Sequence, residues 1–279
     1  FPFVQTRKQK YLPLKILITG GSGFVGSFIA DFLKKSNHDV YSPNHEEMDC
    51  SDIESVNMYL LKIAPEVIIH TAAIIIPTDE MNGNHEKIQR ENEELNLNVL
   101  QQAALLNIRN LLCFGSHTMY SPGIQKNESN ILKNESPPFI RGYANSKRSL
   151  LKACQKYVED GFNYKMLILP SIYGPFNLNF SPKQMLNSII LRAVKLSKKN
   201  QKILDVRGDL NSMREYIFLP DIANWVSKNI EILPALPVAM NLGTNASLPI
   251  YEYYKVCSNL VTLDLTFDIN FLFVGARLY

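Results

Sequence analysis

Residues 14–26 read LKILITGGSGFVG, and the fold turns on this stretch. Leu14 to Ile18 is apolar apart from Lys15, the pattern of a strand buried on both faces of a parallel sheet. Gly20, Gly23 and Gly26 follow, and Phe24, Phe28, Ile29, Phe32 and Leu33 then recur at helical intervals as far as Lys35. A strand, a glycine turn and a helix in that order let backbone approach a pyrophosphate closely. The helix N-terminus adds unpaired N–H groups and the positive end of its dipole. A dinucleotide-binding turn is expected, with Gly20, Gly23, Phe24, Val25 and Gly26 against the cofactor.

The alternation continues outward. Strands are expected at 39–42 (DVYS), 67–73 (VIIHTAA), 111–116 (LLCFGS) and 165–170 (KMLILP). Helices are expected from about Asp52, with Ser51 or Asp52 as N-cap, and over 86–107 and 143–159. Strand and helix taking turns argues for an α/β fold, a doubly wound parallel sheet covered on both faces. Beyond Pro175 the pattern loosens. We therefore expect an N-terminal extension over 1–13, a dinucleotide-binding domain over 14–175, and a smaller lobe over 176–279 interleaved with the last sheet strands.

Bulk properties narrow the function. The chain has 279 residues, 46% of them hydrophobic and 20% charged, with a formal net charge of +3. That composition is ordinary for a globular protein, and the charge is too small to call for nucleic acid or an acidic membrane. Cys50, Cys113, Cys154 and Cys257 are scattered without CxxC or His spacing, so no metal site is expected and free thiols in a reducing cytoplasm are. No apolar run approaches the roughly 20 residues that span a bilayer. FPFVQTRKQKYLPLK (1–15) has no signal-peptide core and no initiator Met.

Two further stretches speak to chemistry. The second strand ends in VYSPNH (40–45), with no carboxylate before Glu46. NAD sites usually place an Asp or Glu there for the ribose hydroxyls. Without it NADP is favoured and NAD stays open, with Ser42 or His45 placed to contact a 2′-phosphate, although no arginine stands by. YANSK (143–147) sets Tyr143 and Lys147 four residues apart, on one helix face. By itself such a pair is more often a plain surface contact; the sharper reading is a proton donor, since a nearby ammonium favours phenolate and Lys147 would bring Tyr143 down toward its working range.

Taken in order, these motifs resemble the extended short-chain dehydrogenase/reductases, the NAD-dependent epimerase/dehydratase family, in its GDP-L-fucose synthase-like branch. TGGSGFVG (19–26), MDCSD (48–52), HTAA (70–73), Asn92, FGSHTMYSP (114–122), YANSK, IYGP (172–175), REYIFLPDIA (214–223) and NLG (241–243) carry the likeness. It implies a Rossmann-type fold, a substrate-binding C-terminal lobe, a nucleotide-sugar substrate and a homodimer built on helices near 86–107 and 143–159. It implies Ser116, Tyr143 and Lys147 as catalytic residues, with Tyr143 and Lys147 also at the cofactor. Asp49 would lie by the adenine and Ala72 beside the cofactor. Ser116, Thr118, Ser171 and Arg214 would meet substrate, Arg214 at its diphosphate, while Asp221 would cap a helix.

Departures from the pattern shape the expected reaction. Dehydratases of the group place Asp-Glu after the catalytic Ser or Thr, where this chain has His117-Thr118. The fucose synthases place a Cys base where Thr118 stands and a His acid near Met185 or Leu186. Reduction needs Ser116, Tyr143 and Lys147, which are present; epimerisation needs the base and acid, which are not. The expected activity is NADP(H)-dependent reduction of a nucleotide-linked 4-keto-6-deoxy sugar, with His117 the first substitute base to consider. Alternatives are a redox-neutral epimerase holding its cofactor tightly, or a degenerate member without catalysis. TFDINFLFVGARLY (266–279) also lacks the branch's Lys-Pro-Asp-Gly, so the lobe is expected to be shortened.

Overall fold

The structure, a computed structural model, describes residues 13–36, 38–76, 83–176, 184–201, 204–206 and 209–261. Most of the N-terminal extension, the 177–183 stretch and the C-terminal 266–279 stretch lie outside the described residues.

In chain order the elements are β1 (Lys15–Thr19), α1 (Phe24–Lys34), β2 (Asp39–Tyr41), α2 (Ile53–Ile63), β3 (Val67–His70), α3 (His85–Leu105), β4 (Asn110–Ser116) and α4 (Arg141–Glu159). There follow β5 (Asn163–Leu169), β6 (Ser171–Tyr173), α5 (Met185–Lys198), β7 (Met213–Phe218), α6 (Leu219–Asn229), β8 (Ala239–Asn241), β9 (Ser247–Pro249) and α7 (Ile250–Leu260). The contacts divide the chain into two compact units, 1–168 with 221–241, and 169–220 with 242–279.

The first unit is a Rossmann-type α/β layer structure. Its six strands run in the order β2-β1-β3-β4-β5-β8, and the β1–β2, β1–β3, β3–β4 and β5–β8 pairings are parallel. The chain leaves β1 to one side for β2 and returns to the other for β3. In such sheets the crevice at that reversal, beyond the carboxyl ends of the strands, is where ligands bind. The glycine turn stands at its mouth. Under the sheet, Leu17, Ile68, Leu111 and Tyr164 pack with Val56, Leu60, Val99, Leu100 and Leu151 from α2, α3 and α4. Each such side chain removed from water stabilises the fold by about 1.5–3 kcal/mol.

The second unit has a three-stranded sheet, β6-β7-β9, with β6 parallel and β9 antiparallel to β7. Leu186, Ile189 and Ala193 of α5 close on Tyr216, Ile250, Tyr254 and Cys257. The change of unit comes after Ile168, ahead of the Pro175 boundary read from the sequence, because β6 pairs with β7 rather than with the large sheet. Residues 221–241 then rejoin the first unit and supply its edge strand β8.

Some local expectations change in ways that matter for the site. VIIHTAA leaves the sheet at His70, because Thr71 and Ala72 turn onto β1: the Thr71 hydroxyl donates to the Thr19 carbonyl (2.6 Å), and the Ala72 amide to Thr19 Oγ1 (3.3 Å). Asp52 is the N-cap of α2, accepting from the Glu54 amide at 3.1 Å. Ser51 instead turns to Asp49, to which its amide and hydroxyl donate at 2.8 and 2.7 Å. Asp221 lies inside the first turn of α6 rather than before it, so it faces the helix dipole and is not the cap.

Candidate active site

Gly20 closes β1 at φ +68°, a backbone conformation that disfavours other residues, and a Cβ there would sit 2.8 Å from the Ala72 amide nitrogen. Gly23 is exposed and serves as N-cap of α1 without a side-chain cap, and no acidic residue lies in the first turn. The Phe24, Val25 and Gly26 amides therefore meet neither a capping oxygen nor a competing carboxylate. A Cβ on Gly23 would meet only the Gly20 carbonyl, at 3.2 Å, so the concavity is open for a ligand. These residues fit a dinucleotide pyrophosphate. At Gly26 the reason for glycine is internal: a Cβ would collide with the Gly20 carbonyl and Thr71 Oγ1. Gly26→Ala is expected to destabilise the protein by about 1–3 kcal/mol through overpacking, read from urea unfolding, and to weaken dinucleotide binding.

A buried polar chain supports the turn from below. Asn96 Oδ1 accepts from His70 Nε2 at 2.9 Å, which places the ring proton on that nitrogen and leaves Nδ1 to accept from the Thr19 hydroxyl at 2.8 Å. Thr19 in turn receives the Ala72 amide, so α3, β3, β1 and the Ala72 backbone are linked through one imidazole. Burial, with the Lys147 charge nearby and against the Asn96 hydrogen bond, pushes His70 down to about 4. Between its ordinary value of 6.5 and 4 the unfolded chain binds the extra proton. Stability is therefore full above pH 6.5 and falls by about 3 kcal/mol as pH drops toward 4. Urea unfolding at stepped pH should show this loss, and His70→Gln should flatten it. Asn92, the helix asparagine, is also fully buried: it accepts from the Ile74 amide at 2.9 Å and donates to the Ile74 and Ile88 carbonyls, both at 2.8 Å. It pins the chain leaving β3.

Ser116 ends β4, and a 3-10 turn, His117–Met119, begins there. Ser116 Oγ accepts from the Thr118 amide (3.2 Å) and the Thr118 hydroxyl (3.0 Å). Two incoming bonds fill its lone pairs and leave its own proton to donate outward. Thr118 acts as a donor in that arrangement, and a hydroxyl is a poor base. His117 lies half-buried at the head of the same turn.

α4 packs against β4 and this turn, and carries Tyr143 and Lys147. The Lys147 ammonium stands 5.7 Å from the centroid of the Tyr143 ring, within cation–π range, and the residue is 2% exposed. It lies over the ring face. The expected lowering of Tyr143 is therefore not seen: burial pushes its phenol up to about 12. Burial also drives Lys147 down to about 8, partly opposed by Cys113 and Cys154. The two thiols face each other at 3.8 Å, and burial holds Cys113 well above its usual range.

Features not read from the sequence surround this pair. Gly142 lets the His85 backbone of α3 pack against the start of α4, where a Cβ would collide with the His85 carbonyl. Arg148 ties α4 to the loop after Ser116, donating to the Met119 carbonyl (2.7 Å), the Asn134 carbonyl (2.8 Å) and Ser121 Oγ (3.4 Å). Asp49, half-buried beyond β2, is raised by burial but held below its usual range by the Ser51 hydroxyl and amide with help from His45.

Ser171 and Arg214 belong to the second unit. Ser171 opens β6 in register with Tyr216. Arg214 donates to the Met213 carbonyl at 3.0 Å, and its own carbonyl accepts from the Tyr253 hydroxyl at 2.9 Å. Glu215 does not pair with it but gathers the Thr244 amide and hydroxyl and the Asn245 amide on Oε1. Among the described residues no group of three or more His, Cys, Asp or Glu side chains is placed to hold a metal, and no helix is long and apolar enough to cross a membrane.

The family model described as "NAD dependent epimerase/dehydratase family" matches residues 16–243. The chain belongs to this family. It is 30% identical over 260 residues to GDP-L-colitose synthase of Yersinia pseudotuberculosis, covering 91% of this chain and 84% of that protein. It is 28% identical over 270 residues to GDP-L-fucose synthase of Azorhizobium caulinodans, covering 92% and 84%. Among solved structures, a GDP-mannoheptose C4 reductase from Campylobacter jejuni with NADP bound superposes with a TM-score of 0.81 at 20% identity, over 94% of this chain and 89% of that one. That likeness carries the fold. As a member of the NAD-dependent epimerase/dehydratase family the chain is an enzyme whose cofactor class is NAD(P).

Proposed function

We propose that this chain is an NADP(H)-dependent reductase of a GDP-linked 4-keto-6-deoxy sugar, reducing C4 without inverting C3 or C5. The observation that carries the reading is the set on β4 and α4: a Ser116 hydroxyl free to donate, a protonated Tyr143, and a buried Lys147 cation over its ring. Gly20, Gly23, Phe24, Val25, Gly26, Asp49 and Ala72 would hold the dinucleotide. Bound there, it supplies hydride to a carbonyl carbon. Ser116 orients the carbonyl oxygen by hydrogen bond. Tyr143 gives that oxygen a proton as negative charge builds on it. Lys147, itself buried, supplies fixed positive charge beside the reacting oxygen.

Substrate class rests on the names of the relatives, which act on GDP-linked sugars, and Thr118, Ser171 and Arg214 are assigned to substrate by the family resemblance. That C3 and C5 are not inverted is supported by Thr118, a hydroxyl and so a far poorer base than a thiolate, and by Met185 and Leu186 standing where the branch's acid is expected. Leu97 and Leu105 are 42% and 76% exposed on α3, which suits the homodimer through α3 and α4. Four free cysteines suit a reducing cytoplasm.

The test is to incubate the protein with NADPH and GDP-4-keto-6-deoxymannose and follow both. A mole of NADPH oxidised per mole of ketone lost is expected. Sugar turnover without net NADPH loss would replace the reading with a redox-neutral epimerase, and no turnover with cofactor bound would sink it.

A further inference from the structure

The sequence left the cofactor's 2′-phosphate without a cation. The structure brings one to it from the far end of α1. We propose that Lys34 and Ser42 form a clamp for the adenosine 2′-phosphate and set the preference for NADP(H) over NAD(H); this rests on the dinucleotide reading of the glycine turn.

Ser42 directly follows β2, the place where NAD-binding sheets carry a ribose-binding carboxylate. It lies against the glycine turn: a Cβ on Gly21 would come within 2.8 Å of both Cβ and the carbonyl oxygen of Ser42. Lys34, the last residue of α1, reaches this point, and its ammonium donates to Ser42 Oγ at 3.5 Å. Hydroxyl and ammonium thus stand side by side where the adenosine ribose of a dinucleotide on this turn would lie. A serine hydroxyl can donate to a phosphate oxygen, and a lysine serves phosphate as a point charge.

The ammonium is also available. Lys34 is exposed, and none of the ion pairs formed among the described residues includes it. Three acids of the segment from β2 to α2 hold hydrogen bonds of their own. Asp39 accepts from the Tyr41 hydroxyl at 2.9 Å, Glu47 from the Asn44 amide at 2.9 Å, and Asp49 from Ser51. A lysine placed only for solubility has no reason to lean on a hydroxyl beside the cofactor turn. The same position explains why a carboxylate is absent after β2: it would neutralise Lys34 and repel the phosphate.

Dissociation constants for NADPH and NADH, measured by titration calorimetry without substrate, test the clamp. Lys34→Ala should weaken NADPH about tenfold, the worth of one hydrogen bond to a charged group, and leave NADH unchanged. Ser42→Asp should weaken NADPH more, leave NADH unchanged or tighter, and reverse the preference. Raising the salt should shrink the wild-type preference, since the clamp is exposed. Equal weakening of both cofactors in Lys34→Ala, or no change in either, would overturn the clamp while leaving the dinucleotide site intact. A wild-type protein that binds neither cofactor would overturn the reading beneath it.

Discussion

Tyr143→Phe is expected to lower kcat by about 10²–10⁴-fold with KM little changed, the usual contribution of a positioned proton donor. The phenol sits in the first turn of α4, and burial keeps it protonated at neutral pH, up to about 12. It is therefore in the donor form whenever substrate arrives, and only its hydroxyl is lost in the variant. The ring stays under the Lys147 ammonium, so the cation–π contact, the fold and dinucleotide affinity should survive. Steady-state kinetics beside a binding titration check this. A loss confined to KM would assign Tyr143 to substrate binding instead.

Lys147→Met should move activity and stability in opposite directions. Lys147 is 2% exposed, its ammonium has no carboxylate partner among the ion pairs of the described residues, and burial pushes it from 10.5 to about 8. That displacement is worth roughly 3 kcal/mol against folding at neutral pH. Between pH 8 and 10.5 the unfolded chain holds the proton that the folded one has released, so stability rises with pH across that window and the penalty is complete below it. A methionine of similar length has no charge to desolvate and should raise the urea midpoint. Turnover should nevertheless fall by at least about 10²-fold, because the fixed charge beside the reacting oxygen is gone. In the wild type, kcat/KM should be flat near neutrality and fall tenfold per unit above about pH 8, as Lys147 loses its proton. A variant that is both less stable and inactive would make the lysine a structural residue.

Much of this site could be read from the chain because its parts are local. Gly20, Gly23 and Gly26 lie in one turn, Tyr143 and Lys147 within one helical turn, and the parallel sheet announces itself in runs such as LKILI and VIIH. What could not be read depends on residues far apart in sequence. Thr19, His70 and Asn96 meet through a single imidazole, Arg148 reaches back to Met119 and Asn134, and Lys34 meets Ser42 only because α1 returns beside β2. The Tyr143 shift runs opposite to the expected direction for the same reason. Four residues of spacing place an ammonium near a phenol, but whether it lies at the hydroxyl or over the ring, and how deeply both are buried, is settled by packing. The strand expected through Ala73 ended early because Thr71 and Ala72 serve the glycine turn rather than the sheet.

The central claim, a reductase without epimerase chemistry, is tested most directly by running the reaction with NADPH and GDP-4-keto-6-deoxymannose in deuterium oxide and taking the NMR spectrum of the sugar product. The account predicts a sugar reduced at C4, with the configuration at C3 and C5 unchanged and no deuterium at either carbon. GDP-fucose, or deuterium at C3 or C5, would contradict it, and would require a base other than Thr118, beginning with His117.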